Sequence, residues 1–83
     1  MTYFVYLIGS YKKSKVTTYA GYTNNLKNRL MLHNTGRGAK FTKGRVWKLL
    51  YYEKFKTKKK AILREIYIKK NRKFRNLIKG KFV

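Results

Sequence analysis

Glu65 stands in a chain that has discarded nearly every other acid: 23 Lys and Arg are set against 2 Asp and Glu. It lies in Ala61-Ile62-Leu63-Arg64-Glu65-Ile66, among apolar residues at helical spacing. A carboxylate buried without a partner is costly, so a cation must meet it. One of the abundant Lys or Arg side chains could do so, and so could a divalent metal, since one carboxylate and several waters is an ordinary arrangement for Mg²⁺. Arg29 and His33 are four residues apart and fall on one side of a helix. Arg29 can clamp a phosphate bidentately or be one more solvated base. His33, the lone histidine, can carry a proton near neutral pH, or serve as a favourable charge or packing group late in a helix. Tyr6 and Tyr19 sit in strand-like stretches, where tyrosines pack more often than they react. Together these are groups that can touch a phosphate and move protons around it.

The elements that must position them are readable from the pattern. Tyr3-Phe4-Val5-Tyr6-Leu7-Ile8 is aromatic and β-branched, with both faces apolar, and reads as a central strand ended by Gly9 and Ser10. Ser10 to Lys15 reads as a hairpin loop longer than a two-residue turn, leading to a second, antiparallel strand over Val16 to Ala20 that breaks at Gly21. The cluster Thr23-Asn24-Asn25 can cap a helix over residues 25 to 33, docked through Leu26 and Leu30. Asn34 to Arg45 holds three glycines and the bases Arg37, Lys40, Lys43 and Arg45, a segment that could approach phosphates closely or be a solvated connection. A third strand is expected over Val46 to Tyr52, with Glu53 beyond it in a polar stretch, capping or pairing on the surface. Thr57 caps a helix over about residues 58 to 70, whose buried stripe is Ala61, Ile62, Ile66 and Ile68 with Glu65 inside it. A last helix, about residues 73 to 79 with Phe74, Leu77 and Ile78 apolar, ends at Gly80 as a C-cap.

Eighty-three residues make one domain that buries roughly 60–65% of its unfolded surface. A formal charge of +21 means self-repulsion until a polyanion binds, nucleic acid being the commonest. Thirteen Tyr and Phe side chains separate the chain from disordered basic tails. With no cysteine and one histidine, disulfides and thiolate zinc sites are excluded, and a bound metal would rely mostly on water and substrate oxygens. No apolar run approaches the roughly 18 residues of a spanning helix, and no signal-like segment follows the N-terminus. The expectation is an intracellular protein, cytoplasmic or nucleoid-associated, with no membrane partner.

Order and spacing resemble the GIY-YIG nuclease superfamily, in its short stand-alone form, over nearly the whole chain. Phe4-Val5-Tyr6 stands for the first family tripeptide and Tyr19-Ala20-Gly21 for the second. Arg29 takes the place of the helix arginine. Leu32-His33-Asn34 and Gly36-Arg37-Gly38-Ala39-Lys40-Phe41-Thr42 are similar to the short members, and Glu65 matches the metal-binding glutamate. The resemblance implies an α+β fold in the order β-β-α-β-α-α, a small three-stranded antiparallel sheet flanked by helices. It implies phosphodiester hydrolysis with one Mg²⁺ or Mn²⁺ ion held by Glu65. Arg29 would stabilise developing charge, Tyr6 and Tyr19 would position or deprotonate water, and His33 would assist. A polar residue in the last helical region, Asn71 or Asn76, would complete the site.

Tyrosine with an ordinary pKa near 10 is a poor base, so on this reading nearby Arg and Lys must favour phenolate character. The substrate this resemblance implies is DNA, with RNA left open. Selection would come from substrate shape, a nick, flap or branch, or from a protein partner, because no separate reading domain exists. The alternatives are a non-catalytic nucleic-acid-binding module on the same scaffold and a protein that coats anionic membrane surfaces.

Overall fold

A computed structural model describes residues 1–81. Three strands, β1 (Tyr3–Lys12), β2 (Lys15–Thr23) and β3 (Lys48–Phe55), form an antiparallel sheet in the order β2-β1-β3. Helix α1 (Leu26–Asn34) follows β2, a single 3₁₀ turn at Lys40–Thr42 precedes β3, and α2 (Lys58–Lys70) and α3 (Arg72–Gly80) follow it. The α+β architecture expected from the resemblance is therefore present. Among the described residues no helix is long and apolar enough to cross a membrane.

The central place of β1 follows from its two apolar faces. Val5 and Leu7 point into one cluster with Ala20, Ala61, Ile68 and Ile78, while Tyr6 and Ile8 point into another with Trp47, against which Tyr19, Leu26, Leu30 and Leu49 pack. Period-2 alternation along one strand thus feeds two cores. The second of them carries both candidate tyrosines.

The hairpin differs from expectation. β1 and β2 pair continuously from Phe4 opposite Thr23 to Lys12 opposite Lys15, and the connection is only Lys13 and Ser14, both with positive φ (52° and 62°). That is the geometry two-residue hairpins require, normally signalled by Asn or Gly. Neither residue carries the signal, so the ladder imposes the conformation. β2 also runs through Gly21 to Thr23 rather than breaking there.

β3 begins later than expected and runs further. Asn34 holds Trp47 at its start by accepting the Trp47 backbone N–H and donating to its carbonyl (3.0 Å). At its end, Glu53 and Phe55 sit opposite Val5 and Tyr3. Thr57 accepts from the Lys60 N–H (3.3 Å) and caps α2 as expected. The buried stripe of α2 is Ala61 and Ile68, with Glu65 between them on the i, i+4, i+7 line; Ile66 lies off that line and is 42% exposed. In α3, Ile78 is buried and Leu77 exposed. Gly80 closes the helix without positive φ and Lys81 is the cap, so the expected glycine C-cap is absent.

Glu53, expected on the surface, is instead a half-buried clasp between β3 and α2. It accepts from Arg64 Nε and Nη2 (3.0 and 2.9 Å) and from the Tyr51 hydroxyl, while the Arg64 guanidinium stacks over Tyr67 and Phe74. Burial pushes the Glu53 carboxyl up, but the Arg64 and Tyr51 hydrogen bonds outweigh it and hold the group below its usual range. A depressed folded-state pKa adds stability that is complete above the ordinary carboxylate value and is lost as pH falls through the folded one. Glu53→Gln is expected to lower unfolding free energy at pH 7 by about 1–3 kcal/mol. The gap to wild type should narrow in melts as pH falls below the ordinary carboxylate value. A gap that stays constant through the acid range would assign the loss to packing rather than charge.

Candidate active site

β2 is an edge strand, and α1 and α2 flank it on opposite faces of the sheet. Between them opens a cleft of about 450 Å³ whose lining includes Tyr6, Tyr19, Arg29 and Glu65. Four of the five residues singled out from the sequence therefore share one cavity. Asn25 makes this possible for Arg29: its side chain accepts from the Asn28 N–H (3.0 Å) and starts α1 directly after the strand. Glu65 reaches the cleft from α2 with its side chain 15% exposed, 3.8 Å from Lys69 Nζ one turn on.

The fifth residue lies one layer deeper. His33 is 1% exposed, and its Nε2 is 2.8 Å from the Tyr6 hydroxyl. Its tautomer follows from Thr42. The Thr42 hydroxyl donates to the Ala39 carbonyl (2.9 Å) and accepts from the Ala39 N–H (3.2 Å), so it can only accept from His33 Nδ1 (2.9 Å). His33 carries its hydrogen on Nδ1, and the bare Nε2 accepts the Tyr6 O–H. Burial, helped by the nearby Arg29 charge, lowers the His33 pKa and keeps the ring neutral at pH 7.

Tyr6 is 2% exposed and its phenol is pushed well above its ordinary range. Burial is the main cause; Arg29 pulls the other way, and Tyr19 and Glu65 add to the rise. The phenolate character anticipated from the basic surroundings is thus outweighed by desolvation. Tyr6 is a neutral hydroxyl that donates to a neutral imidazole.

Two glycines make room for this pair. A Cβ on Gly21, which lies opposite Tyr6 in the ladder, would come within 2.4 Å of the Tyr6 hydroxyl oxygen. One on Gly38 would come within 2.2 Å of His33 Nδ1. Trp47 closes the layer from behind, donating from Nε1 to the Thr42 carbonyl (2.9 Å).

The other expected residues lie apart. Arg37, Lys40 and Lys43 are exposed on the glycine-rich segment, and half-buried Arg45 reaches Thr17 Oγ1 at 3.4 Å. Asn71 uses its side chain to cap α3, accepting from the Phe74 N–H (2.9 Å), and Asn76 is exposed; neither lines the cleft. As site residues, sequence reasoning did not single out Tyr3, Tyr22, Thr23, Asn24 and Lys58, which with Gly21 complete the cleft wall, or Thr42 and Trp47 behind His33. Lys58 has no signal inside a run of lysines, and Thr42 has none without the fold.

Among the described residues no three His, Cys, Asp or Glu side chains cluster. The cleft offers one carboxylate, Glu65, whose only ionic neighbour among the described residues is the exposed Lys69 at 3.8 Å; such a donor set fits a hard, largely hydrated divalent cation and does not fit zinc.

A UPF0213 protein of Clostridium perfringens is 47% identical over 68 residues, covering 81% of this chain and 70% of the relative. One of Oceanobacillus iheyensis is 48% identical over 60 residues, covering 71% and 70%. The solution NMR structure of a UPF0213 protein from Bacillus halodurans superposes with a TM-score of 0.52 at 33% identity, covering 98% of this chain and 86% of that one. The family model of the GIY-YIG catalytic domain matches residues 2–79, and the chain therefore belongs to the GIY-YIG family, a nuclease-type family.

Proposed function

We propose that this protein is a divalent-metal-dependent endonuclease that hydrolyses DNA phosphodiester bonds and selects its substrate by shape. The observation that carries the reading is the convergence of Glu65, Arg29, Tyr6 and Tyr19 on one cleft, with the Tyr6 hydroxyl wired to a buried neutral imidazole. The surrounding charge of +21 favours a polyanion in that cleft.

Tyr6 need not become a phenolate to activate water. Its oxygen can accept a proton from an attacking water while its own hydrogen passes to His33 Nε2, so the phenol ends as it began and the imidazole holds the charge. Thr42 accepts from Nδ1 before and after, which keeps the ring in register. Arg29, which makes no ion pair among the described residues, is free to pair with the phosphate oxygens. Tyr19, packed edge-on against His33 at 5.2 Å, walls the relay and orients the water. Glu65 would hold the cation, which when bound supplies Lewis-acid stabilisation of the leaving oxygen.

The direct test uses the full chain with nicked, flapped, branched and plain duplex DNA. Cutting of the distorted substrates should require Mg²⁺ or Mn²⁺ and stop on chelation, while DNA binding persists. Binding without cutting under either metal would leave a nucleic-acid-binding module. Cutting that continues in excess chelator would remove the metal from the reading.

A further inference from the structure

Phe41 is a large aromatic side chain, 55% exposed, in the middle of the basic glycine-rich segment. It does not dangle. Its ring stacks on Tyr19 (centroids 6.0 Å apart, planes 22° apart) and leans on Trp47 at 6.4 Å. Its backbone lies in the 3₁₀ turn beside Thr42, which is fully buried and bonded to His33. The exposed ring is therefore held in fixed relation to the Tyr6–His33 pair.

Beside it runs a groove of about 430 Å³, lined by Thr18, Tyr19, Ala20, Phe41, Lys69 and Arg75. Tyr19 lines both this groove and the cleft that holds Glu65, so the two adjoin at its ring. The groove carries its own cations. Lys69 Nζ stands 5.7 Å over the Tyr19 ring, and the Arg75 Nη1 group is tethered to the carbonyls of Ile68 (2.8 Å) and Lys69, which fixes the guanidinium at the C-terminal end of α2. Lys40 and Lys43, both exposed, flank Phe41 in sequence.

We propose that Phe41, backed by Tyr19 and rimmed by Lys69 and Arg75, is a stacking platform for one unpaired nucleobase, so that the preferred substrate carries a single-stranded nucleotide next to the bond to be cut. An aromatic face rewards a base whose own face is free, with no need to read its edges, and adjacent cations hold the flanking phosphates. A continuous duplex offers only edges and backbone, so it gains the cations but not the ring. Flaps, frayed ends and single-strand gaps gain both. This rests on the nuclease reading for its placement beside the cut, but the platform itself is a binding property.

The test titrates the full chain against a fluorescent thymidine oligonucleotide and a blunt duplex of equal length, and follows a 2-aminopurine placed in the oligonucleotide. Phe41→Leu keeps apolar bulk and removes the ring; Phe41→Trp keeps a ring, and melting temperatures verify that both variants are folded. Phe41→Leu should weaken single-strand binding about tenfold and abolish the 2-aminopurine response, with duplex binding changed less than about twofold. Phe41→Trp should restore single-strand binding to within about twofold of wild type. Equal losses on single strand and duplex, or no loss on either, would overturn the platform. A chain that cuts DNA with strand preference indifferent to Phe41 sinks the platform alone. A chain that never cuts yet needs Phe41 for single strands sinks the nuclease reading alone.

Discussion

Glu65→Gln is expected to lower the DNA cutting rate about 10³-fold or more while leaving DNA affinity equal to wild type or slightly higher. Glutamine keeps the volume of the side chain, so the α2 line of Ala61, residue 65 and Ile68 packs as before. The contact it gives up is the 3.8 Å pair with Lys69, whose side chain is 48% exposed, and such a pair contributes little to stability. The melting temperature should barely move. What is lost is the formal negative charge, without which, on the proposed reading, a hydrated cation would have no protein anchor in the cleft. On the proposed reading, the carboxylate that repels DNA and the cation it would anchor are lost together, so their effects on affinity offset while the rate falls. Single-turnover cutting and fluorescence-anisotropy binding on the same preparation measure both. Cutting within tenfold of wild type would mean that the cation, or the cutting itself, belongs elsewhere.

Much of this arrangement was legible because the relevant signals are local. Two apolar faces on residues 3 to 8 can only mean a strand covered on both sides, and β1 is the centre of the sheet. The i, i+4 spacing of Arg29 and His33 puts both on one side of α1, and the isolation of Glu65 among basic residues marked it without any structure. What stayed hidden depends on contacts between distant segments. Gly21 reads as a strand breaker, yet β2 runs straight through it because the absent side chain leaves room for Tyr6 across the ladder. Glu53 reads as an exposed residue because Arg64, the cation that holds it beside its strand neighbour Tyr51, approaches only after α2 docks. Lys13 and Ser14 carry no turn signal because nine consecutive paired positions dictate the hairpin, not the turn. The protonation pattern around His33 needs Thr42, nine residues away, whose own bonds to Ala39 decide which way the hydrogen points.

Gly21→Ala is the second large effect, and its sign separates two views of the site. In a strand interior, alanine is ordinarily favoured over glycine by roughly 0.5–1 kcal/mol. Here the added carbon would lie 2.4 Å from the Tyr6 oxygen and 2.6 Å from its Cζ. Tyr6 cannot swing clear cheaply, since it is 2% exposed, walled by Ile8 and Trp47, and held by His33 at 2.8 Å. Relief must come from shifting the ring and breaking that bond. The expected result is a loss of about 1–3 kcal/mol in stability, from overpacking. Cutting should fall about 10²-fold or more, the usual worth of a positioned proton carrier, with DNA affinity unchanged. Tyr6→Phe removes the same hydroxyl without the clash, so it should match the loss in rate with a smaller loss in stability. Because both changes reach the rate through the Tyr6 hydroxyl, the double variant should cut no more slowly than Tyr6→Phe alone. If Gly21→Ala is instead more stable than wild type and fully active, Tyr6 moves freely and its hydroxyl takes no part in the proton relay; multiplying rate losses in the double variant would show that Gly21 serves the cleft through something other than Tyr6.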